Sequence, residues 1–163
     1  MEYIFTLKYQ LGSDVEDMDA VIERLGEAGC DDALAGIGLP GRLALEFTRE
    51  APSAEVAVGS ALDDVRRALP DARLIEAAPD LVGLTDVAEI AGVSRQAMRK
   101  LMLAYPGSFP VPVHEGTTSL WHLADLLEWL RARGNAAWPP ALAEVARAAL
   151  QVNLAKERRR ASA

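Results

Sequence analysis

A single glycine, Gly92, stands between two short amphipathic runs, Leu84–Ala91 and Arg95–Leu101, and no other feature constrains the chain as tightly. In the segment LTDVAEIAGVSRQAMRKL, Ala88 is fifth and Gly92 ninth. Two helices crossing steeply leave room for only a methyl group at the fifth position. The abrupt turn at the ninth calls for φ > 0, which glycine adopts without a Cβ penalty. Val87, Ala91, Val93, Met98 and Leu101 fill the remaining inward positions. Thr85 or Leu84 starts the first helix. Ser94 N-caps the second, its hydroxyl accepting from an otherwise orphaned backbone N–H. Arg95, Gln96, Arg99 and Lys100 are left facing outward. Arg and Gln pair bidentately with guanine and adenine edges in the major groove, and Lys and Arg bind phosphate. The spacing therefore predicts a helix-turn-helix that holds DNA by its second helix. The plainer reading is an amphipathic helix pair whose basic face is only solvated.

The next segment, YPGSFPVPVHEGTTSLW, carries Pro106, Pro110 and Pro112, which forbid a helix. Val111 and Val113 alternate and Glu115-Gly116-Thr117-Thr118 offers a turn, so a short β-hairpin, or wing, is expected. From His122 to Arg133, Leu123, Leu126, Leu127 and Leu130 recur at helical spacing and Gly134 stops the run.

With helix, turn, helix, wing and helix in order, the segment from Leu81 to Gly134 resembles the small winged helix-turn-helix proteins of the MerR/excisionase (AlpA-like) group. The resemblance rests on Leu84 through Gln96, on Phe109-Pro110-Val111-Pro112, and on Trp121 leading into Ala124-Asp125-Leu126. It implies that the second helix enters the major groove and that the wing touches the flanking backbone or minor groove. The residues expected at DNA are then Thr85, Ser94, Arg95, Gln96, Arg99 and Lys100 from the helices, and His114, Thr117, Thr118 and His122 from the wing side. Two departures stand out. Glu115, Leu120 and His122 occupy places where many relatives carry Arg or Lys, and there is no full effector region or long dimerising coiled coil.

The charge is divided unevenly. Residues 1–80 carry 7 Lys and Arg against 17 Asp and Glu, a net of −10, whereas residues 81–163 carry 10 against 7, a net of +3. A DNA-binding module joined to an acidic partner or dimer domain has this pattern, while acidity for solubility explains the total but not the division. No apolar run approaches the ~18 residues of a membrane helix and no signal-like start is present, so a cytoplasmic protein is expected. Cys30 is the single cysteine. It makes no internal disulfide and is expected to pack at a helix end. His114 and His122 are not spaced for a metal, so neither metal nor cofactor is expected.

The N-terminal half alternates from Glu2 to Leu11, with Tyr3, Phe5, Leu7, Tyr9 and Leu11 on one face. Ser13-Asp14-Val15-Glu16 matches a capping box, and Val15, Met18, Ile22 and Leu25 form a helical stripe ending near Gly29. Ala33–Ile37 and Arg42–Arg49 read as strands, Ser53 caps a helix carrying Val58, Leu62, Val65 and Leu69 up to Pro70, and Ala72–Ala77 reads as a last strand. The order βαββαβ is the ferredoxin-like plan of an α+β domain.

Gly36-Ile37-Gly38-Leu39-Pro40-Gly41 formally satisfies G-x-G-x-x-G. A phosphate loop needs a helix N-terminus directly after it, and here a strand follows, so the glycines are expected to be hairpin residues with φ > 0. Arg42, beside the turn, is available to an anion or a partner carboxylate. After Pro139-Pro140 an Ala-rich helix runs to about Arg160. Its seam of Leu142, Val145, Ala149 and Val152, with Leu150 and Leu154 beside it, fits either the intramolecular core or a second chain. Lys156, Arg158, Arg159 and Arg160 favour the helix dipole and lie within reach of phosphate, or are simply a solvated terminus. Trp138 is read as a packing anchor.

The expected organisation is a ferredoxin-like domain over 1–78, a winged helix-turn-helix over 81–134 and a helix over 139–160. The expected function is a transcriptional regulator that binds double-stranded DNA as a homodimer, because a lone helix-turn-helix makes a small interface. The N-terminal domain then serves dimerisation, a small effector or a protein partner. The competing expectation is an antitoxin-like or adaptor module in which the acidic half engages a protein. Asp14, Asp17, Glu23 and Glu27 lie on a helix surface without a nucleophile, base and oxyanion set, so no enzyme is expected.

Overall fold

The computed structural model describes residues 1–12 and 17–163. The chain is mixed α+β, and no helix among the described residues is long and apolar enough to cross a membrane. The elements are β1 (Glu2–Gln10), α1 (Met18–Glu27), β2 (Ala33–Ile37), β3 (Arg42–Glu50), α2 (Ala54–Ala68) and β4 (Arg73–Ala78), then β5 (Leu81–Val82), α3 (Leu84–Ala91), α4 (Arg95–Ala104), β6 (Trp121–His122), α5 (Leu123–Ala132) and α6 (Pro140–Ser162). Strands β2, β3, β1 and β4 lie in that order in an antiparallel sheet, and β5 pairs with β6 in a separate ladder.

Alternation in β1 sets the first core. Tyr3, Phe5, Leu7 and Tyr9 point to one face and stand opposite Arg49, Phe47, Leu45 and Leu43 of β3. Phe5 stacks on Phe47 with centroids 5.2 Å apart. The capping box expected at Ser13–Glu16, and Val15 with it, lie outside the described residues. Asp17 is the N-cap of α1, accepting from Asp19 N at 2.9 Å. Of the stripe expected on α1, Leu25 is buried but Ile22 is 45% exposed. Val21, four residues before Leu25, faces the sheet in its place, since a four-residue step keeps closer to one helix face. Ser53 caps α2 as expected, accepting from Val56 N at 3.1 Å.

In the β2–β3 turn only Gly41 has positive φ, at 78°; Gly36 is an ordinary strand residue opposite Ala44, and Gly38 is not left-handed. Strand β3 follows the turn directly, so no helix begins after it. The Arg42 Nε donates to Gln10 Oε1, which occupies it within the sheet. Cys30 is buried just after α1. Arg49 is buried on β3 with every guanidinium nitrogen engaged. It donates to both carboxylate oxygens of Asp32 at 2.8 and 3.0 Å, to Asp64 at 2.8 Å, to Ser60 Oγ and to the Gly29 carbonyl. A buried charge persists on such terms, because leaving it unpaired costs several kcal/mol.

A second core forms around Val87, Ala88, Met98, Trp121, Leu123, Leu126, Leu127 and Leu130. Helix α6 fills the space between the two cores. Val145 and Ala149, with Val152 behind them, pack on the first, while Ala146, flanked by Leu142 and Leu150, packs on the second. The expected single seam is thus split between two faces about 100° apart, and Leu154 is left 47% exposed. Its seam residues are used within the chain. Trp138 is buried ahead of α6, anchoring its start.

Candidate nucleic-acid interface

The α3–α4 pair is fixed at three points by local chemistry. Asp86 Oδ2 accepts from Gly83 N at 2.9 Å and holds the start of α3. Gly92 ends α3 at φ 72° and ψ 28°, letting Gly92 N reach Glu89 O at 3.1 Å and Val93 N reach Ala88 O at 3.0 Å. Ser94 Oγ accepts from Ala97 N at 3.0 Å and starts α4. Val87, Ala88, Ala91 and Met98 are buried between the helices and the α5 core. Val93, expected inward, is 39% exposed because the left-handed turn swings it clear of the interior. Leu101 is partly buried.

Along α4, four residues form two neighbouring ridges, Arg95 with Arg99 and Gln96 with Lys100, each pair one turn apart; the second ridge lies away from Met98 and the first flanks it. All four are exposed. Among the described residues, Arg95, Arg99 and Lys100 take part in no ion pair, and the first turn of α4 holds no acidic residue. Such a helix presents cations and amide donors to an anionic partner without first breaking internal bonds. Thr85 is exposed in the first turn of α3.

The expected wing is less regular than a hairpin. It is reduced to one bridge, His114 with Leu120, closed by Leu120 N to His114 O at 3.0 Å and Val113 N to Leu120 O at 2.7 Å. Pro110 and Pro112 remove the donors a longer ladder needs. Val111 and Val113 are 83% and 53% exposed, so the alternation there buries no inner face. The partner of Trp121 and His122 is instead the strand before α3, with Val82 opposite Trp121. Packing holds the segment: Trp121 Nε1 donates to Pro110 O at 2.9 Å, and Phe109 lies edge-on to Trp121 and Trp129.

His114, Thr117 and Thr118 are exposed on this loop, with the His114 ring lying over Gly116. His122 stands apart from them. It is half-buried, and its Nδ1 meets Asp80 Oδ1 at 2.7 Å. The structure thus gathers Arg95, Gln96, Arg99 and Lys100 behind Ser94, places Thr85 on the preceding helix, sets three residues on the wing loop, and ties His122 inward.

Sequence reasoning missed Arg133. Its guanidinium lies 3.7 Å from the Tyr105 ring centroid and 4.8 Å from that of Trp129, forming a cationic, aromatic ledge where α4 and α5 end. Its only signal in sequence is an Arg placed just after the Leu130 stripe. Lys156, grouped with the basic terminus, is likewise engaged, donating to the Ile75 carbonyl and pairing with Glu157 at 2.9 Å. Compared with protein-family models, with curated proteins and with solved structures, the chain matches none.

Proposed function

We propose that this chain is a sequence-specific DNA-binding transcriptional regulator of the winged helix-turn-helix type, of the MerR/excisionase (AlpA-like) group, acting as a homodimer in the bacterial cytoplasm. One observation carries the reading: the paired ridges Arg95–Arg99 and Gln96–Lys100 stand exposed on α4, without ion pairs among the described residues, Gln96 and Lys100 on the side opposite the buried Met98 and Arg95 and Arg99 flanking it. In this reading α4 enters the major groove. Arg95, Gln96 and Arg99 approach base edges, Lys100 and Ser94 take phosphate, and the loop of His114, Thr117 and Thr118 lies along the flanking backbone. The strand order β2-β3-β1-β4 is the order of a ferredoxin-like sheet and supports that assignment for residues 1–78. The sheet face opposite the first core leaves Ile4 59% and Leu34 74% exposed, which supports pairing of two copies there.

The test is fluorescence anisotropy of the full chain against duplexes selected from genomic fragments, titrated with salt. Binding that weakens steeply with salt, on sites built of two symmetric half-sites, is the expected result. Absence of binding at low salt removes the reading. The competing adaptor function then gains, favoured by the exposed Ile4 and Leu34 on a half of the chain with net charge −10.

A further inference from the structure

The two edges of the four-stranded sheet, β4 and β2, are finished differently. Side chains of α6 close the β4 edge: Asn153 accepts from Ala77 N and donates to Ala77 O, both at 2.8 Å, and Lys156 Nζ donates to the Ile75 carbonyl. At β2 no side chain among the described residues does the same. Thr48 N donates to Asp32 O at 3.1 Å, in the register that sets Leu34 opposite Glu46 and Gly36 opposite Ala44. Antiparallel pairs alternate between bonded and non-bonded, so Asp32, Leu34 and Gly36 turn their backbone groups to β3, while Ala33, Ala35 and Ile37 turn theirs outward. Cys30 O takes the Ala33 N–H at 3.2 Å. The Ala33 carbonyl and both backbone groups of Ala35 and Ile37 are left at an edge where Leu34 is 74% exposed and Ala35 and Gly36 are exposed with it. Natural sheets blunt such an edge with a charge, a proline or a covering element. Here strand β2 has no proline, and residues 33–41 form the longest uncharged run of the first 80 residues.

The free groups of two such edges match when the strands run antiparallel about a two-fold axis at Ala35. Ala35 then exchanges both of its hydrogen bonds with its counterpart, and each Ile37 N–H meets the Ala33 carbonyl of the other copy. Leu34 falls opposite Gly36 of the second copy in a close non-bonded pair, where the missing Cβ leaves room for its side chain. Charge favours a second copy over a basic partner. A basic strand would find no carboxylate along this run, whereas a half of net charge −10 can approach its own copy only where like charges are few. Antiparallel pairing also holds the two Asp31 side chains about eight residues, or ~27 Å, apart along the junction, well beyond the screening length; parallel pairing would set them side by side. We propose that two copies of this chain join β2 to β2 in this register, merging their sheets into one. The pairing rests on the homodimer of the preceding reading and places its contact at the Leu34 margin of the sheet; it needs no DNA.

Analytical ultracentrifugation of the full chain without DNA tests the pairing, with far-UV circular dichroism checking that each variant is folded. A dimer is expected at tens of micromolar. Leu34→Lys sets two like charges beside the junction, and Ala35→Pro removes its central donor from a position that gives β3 no hydrogen bond; each should weaken the dimer by at least about tenfold. Ile4→Lys, on β1 and away from the edge, should leave the dimer unchanged. In Ala35→Cys the paired Cα atoms stand ~5.5 Å apart, within disulfide range, so mild oxidation should give a covalent dimer, and the exposed Thr48→Cys should not. If Ala35→Pro does not fold, Leu34→Lys decides, since that side chain points to solvent. A chain that stays monomeric up to hundreds of micromolar overturns the homodimer and the β2 pairing together. A dimer that survives Leu34→Lys, that Ile4→Lys dissolves instead, or that Thr48→Cys traps in place of Ala35→Cys overturns the β2 pairing alone and leaves the homodimer standing.

Discussion

His122 and Asp80 meet at 2.7 Å, Nδ1 against Oδ1, across 42 residues of chain, and the pair joins two parts of the fold. The other oxygen of Asp80 accepts from Asn153 Nδ2 at 2.8 Å, and Asn153 in turn both donates to and accepts from the backbone of Ala77 at 2.8 Å. The Asp80 carbonyl also accepts from Leu123 N at 2.7 Å, at the start of α5. Strand β4, the β6–α5 corner and α6 are therefore cross-tied through one carboxylate that is 1% exposed.

Replacing Asp80 should loosen all three segments at once. Asp80→Ala leaves one Asn153 amide hydrogen and the His122 N–H without an acceptor, and should cost ~2–4 kcal/mol, since removing one partner of a buried network exposes the desolvation cost of the rest. Asp80→Asn keeps one acceptor and should cost less. Urea unfolding followed by circular dichroism measures both. A loss under ~0.5 kcal/mol for Asp80→Ala, in the range of an ordinary surface substitution, would show that the tie is incidental.

Gly92→Ala isolates the turn. A Cβ at Gly92 meets nothing within 4 Å, yet φ is +72°, so the cost is conformational and not steric. It should be ~1–2 kcal/mol, with Gly92→Asn smaller because Asn tolerates the left-handed region better. For a chain of this size ~1 kcal/mol lowers the melting temperature by about 2–4 °C, well within the reach of a thermal scan. An unchanged melting temperature for the alanine variant contradicts the assignment of strain to this residue.

What was legible in the sequence was local and periodic. The β1 alternation put Tyr3, Phe5, Leu7 and Tyr9 on one face because a strand with one buried face repeats every two residues. Gly92 and Ser94 were readable because turn and cap chemistry is set within a few residues. Ile22 was misplaced because with apolar residues at both 21 and 22 the pattern does not say which one the sheet covers. The expected hairpin failed where Val111 and Val113 alternate between prolines, since a period of two does not supply hydrogen-bond donors. The Asp80 tie left no trace, its partners Asn153 and His122 being 73 and 42 residues away. Neither did the cavity between α2, β4 and α6, which exists only once α6 folds back over the other two.

Cys30 gives a pH signature. Burial first, and the nearby Asp64 carboxylate second, push its thiol from an ordinary 9.0 up to about 11, while Arg49 pulls the other way. The folded chain thus holds this proton more tightly than the unfolded one. Its contribution is complete below about pH 9 and is lost as pH rises from 9 toward 11, ~2 kcal/mol in all. Tyr9, raised in the same sense, adds to the alkaline loss. The informative quantity is therefore the difference between the parent chain and Cys30→Ala in urea midpoints at pH 8, 10 and 11. That difference should shrink or reverse in favour of the alanine variant as pH rises. A constant difference across the series contradicts the buried, protonated thiol.

Arg99 separates DNA recognition from stability. It is exposed on α4, takes part in no ion pair among the described residues, and stands one turn from Arg95 on the ridge that flanks Met98. Truncating it removes no internal bond, so Arg99→Ala should leave urea stability within ~0.5 kcal/mol of the parent chain. If Arg99 reads a guanine, the same substitution should cost ~1–3 kcal/mol on the selected duplex and relax sequence preference at one position of each half-site. Lys100→Ala should behave differently, weakening all duplexes alike and lowering the salt slope by about one, as loss of a phosphate contact does. Anisotropy titrations of both variants on selected and scrambled duplexes at two salt concentrations distinguish these effects. An Arg99→Ala chain that binds selected duplex as tightly as its parent, while folded, takes this ridge out of the recognition surface.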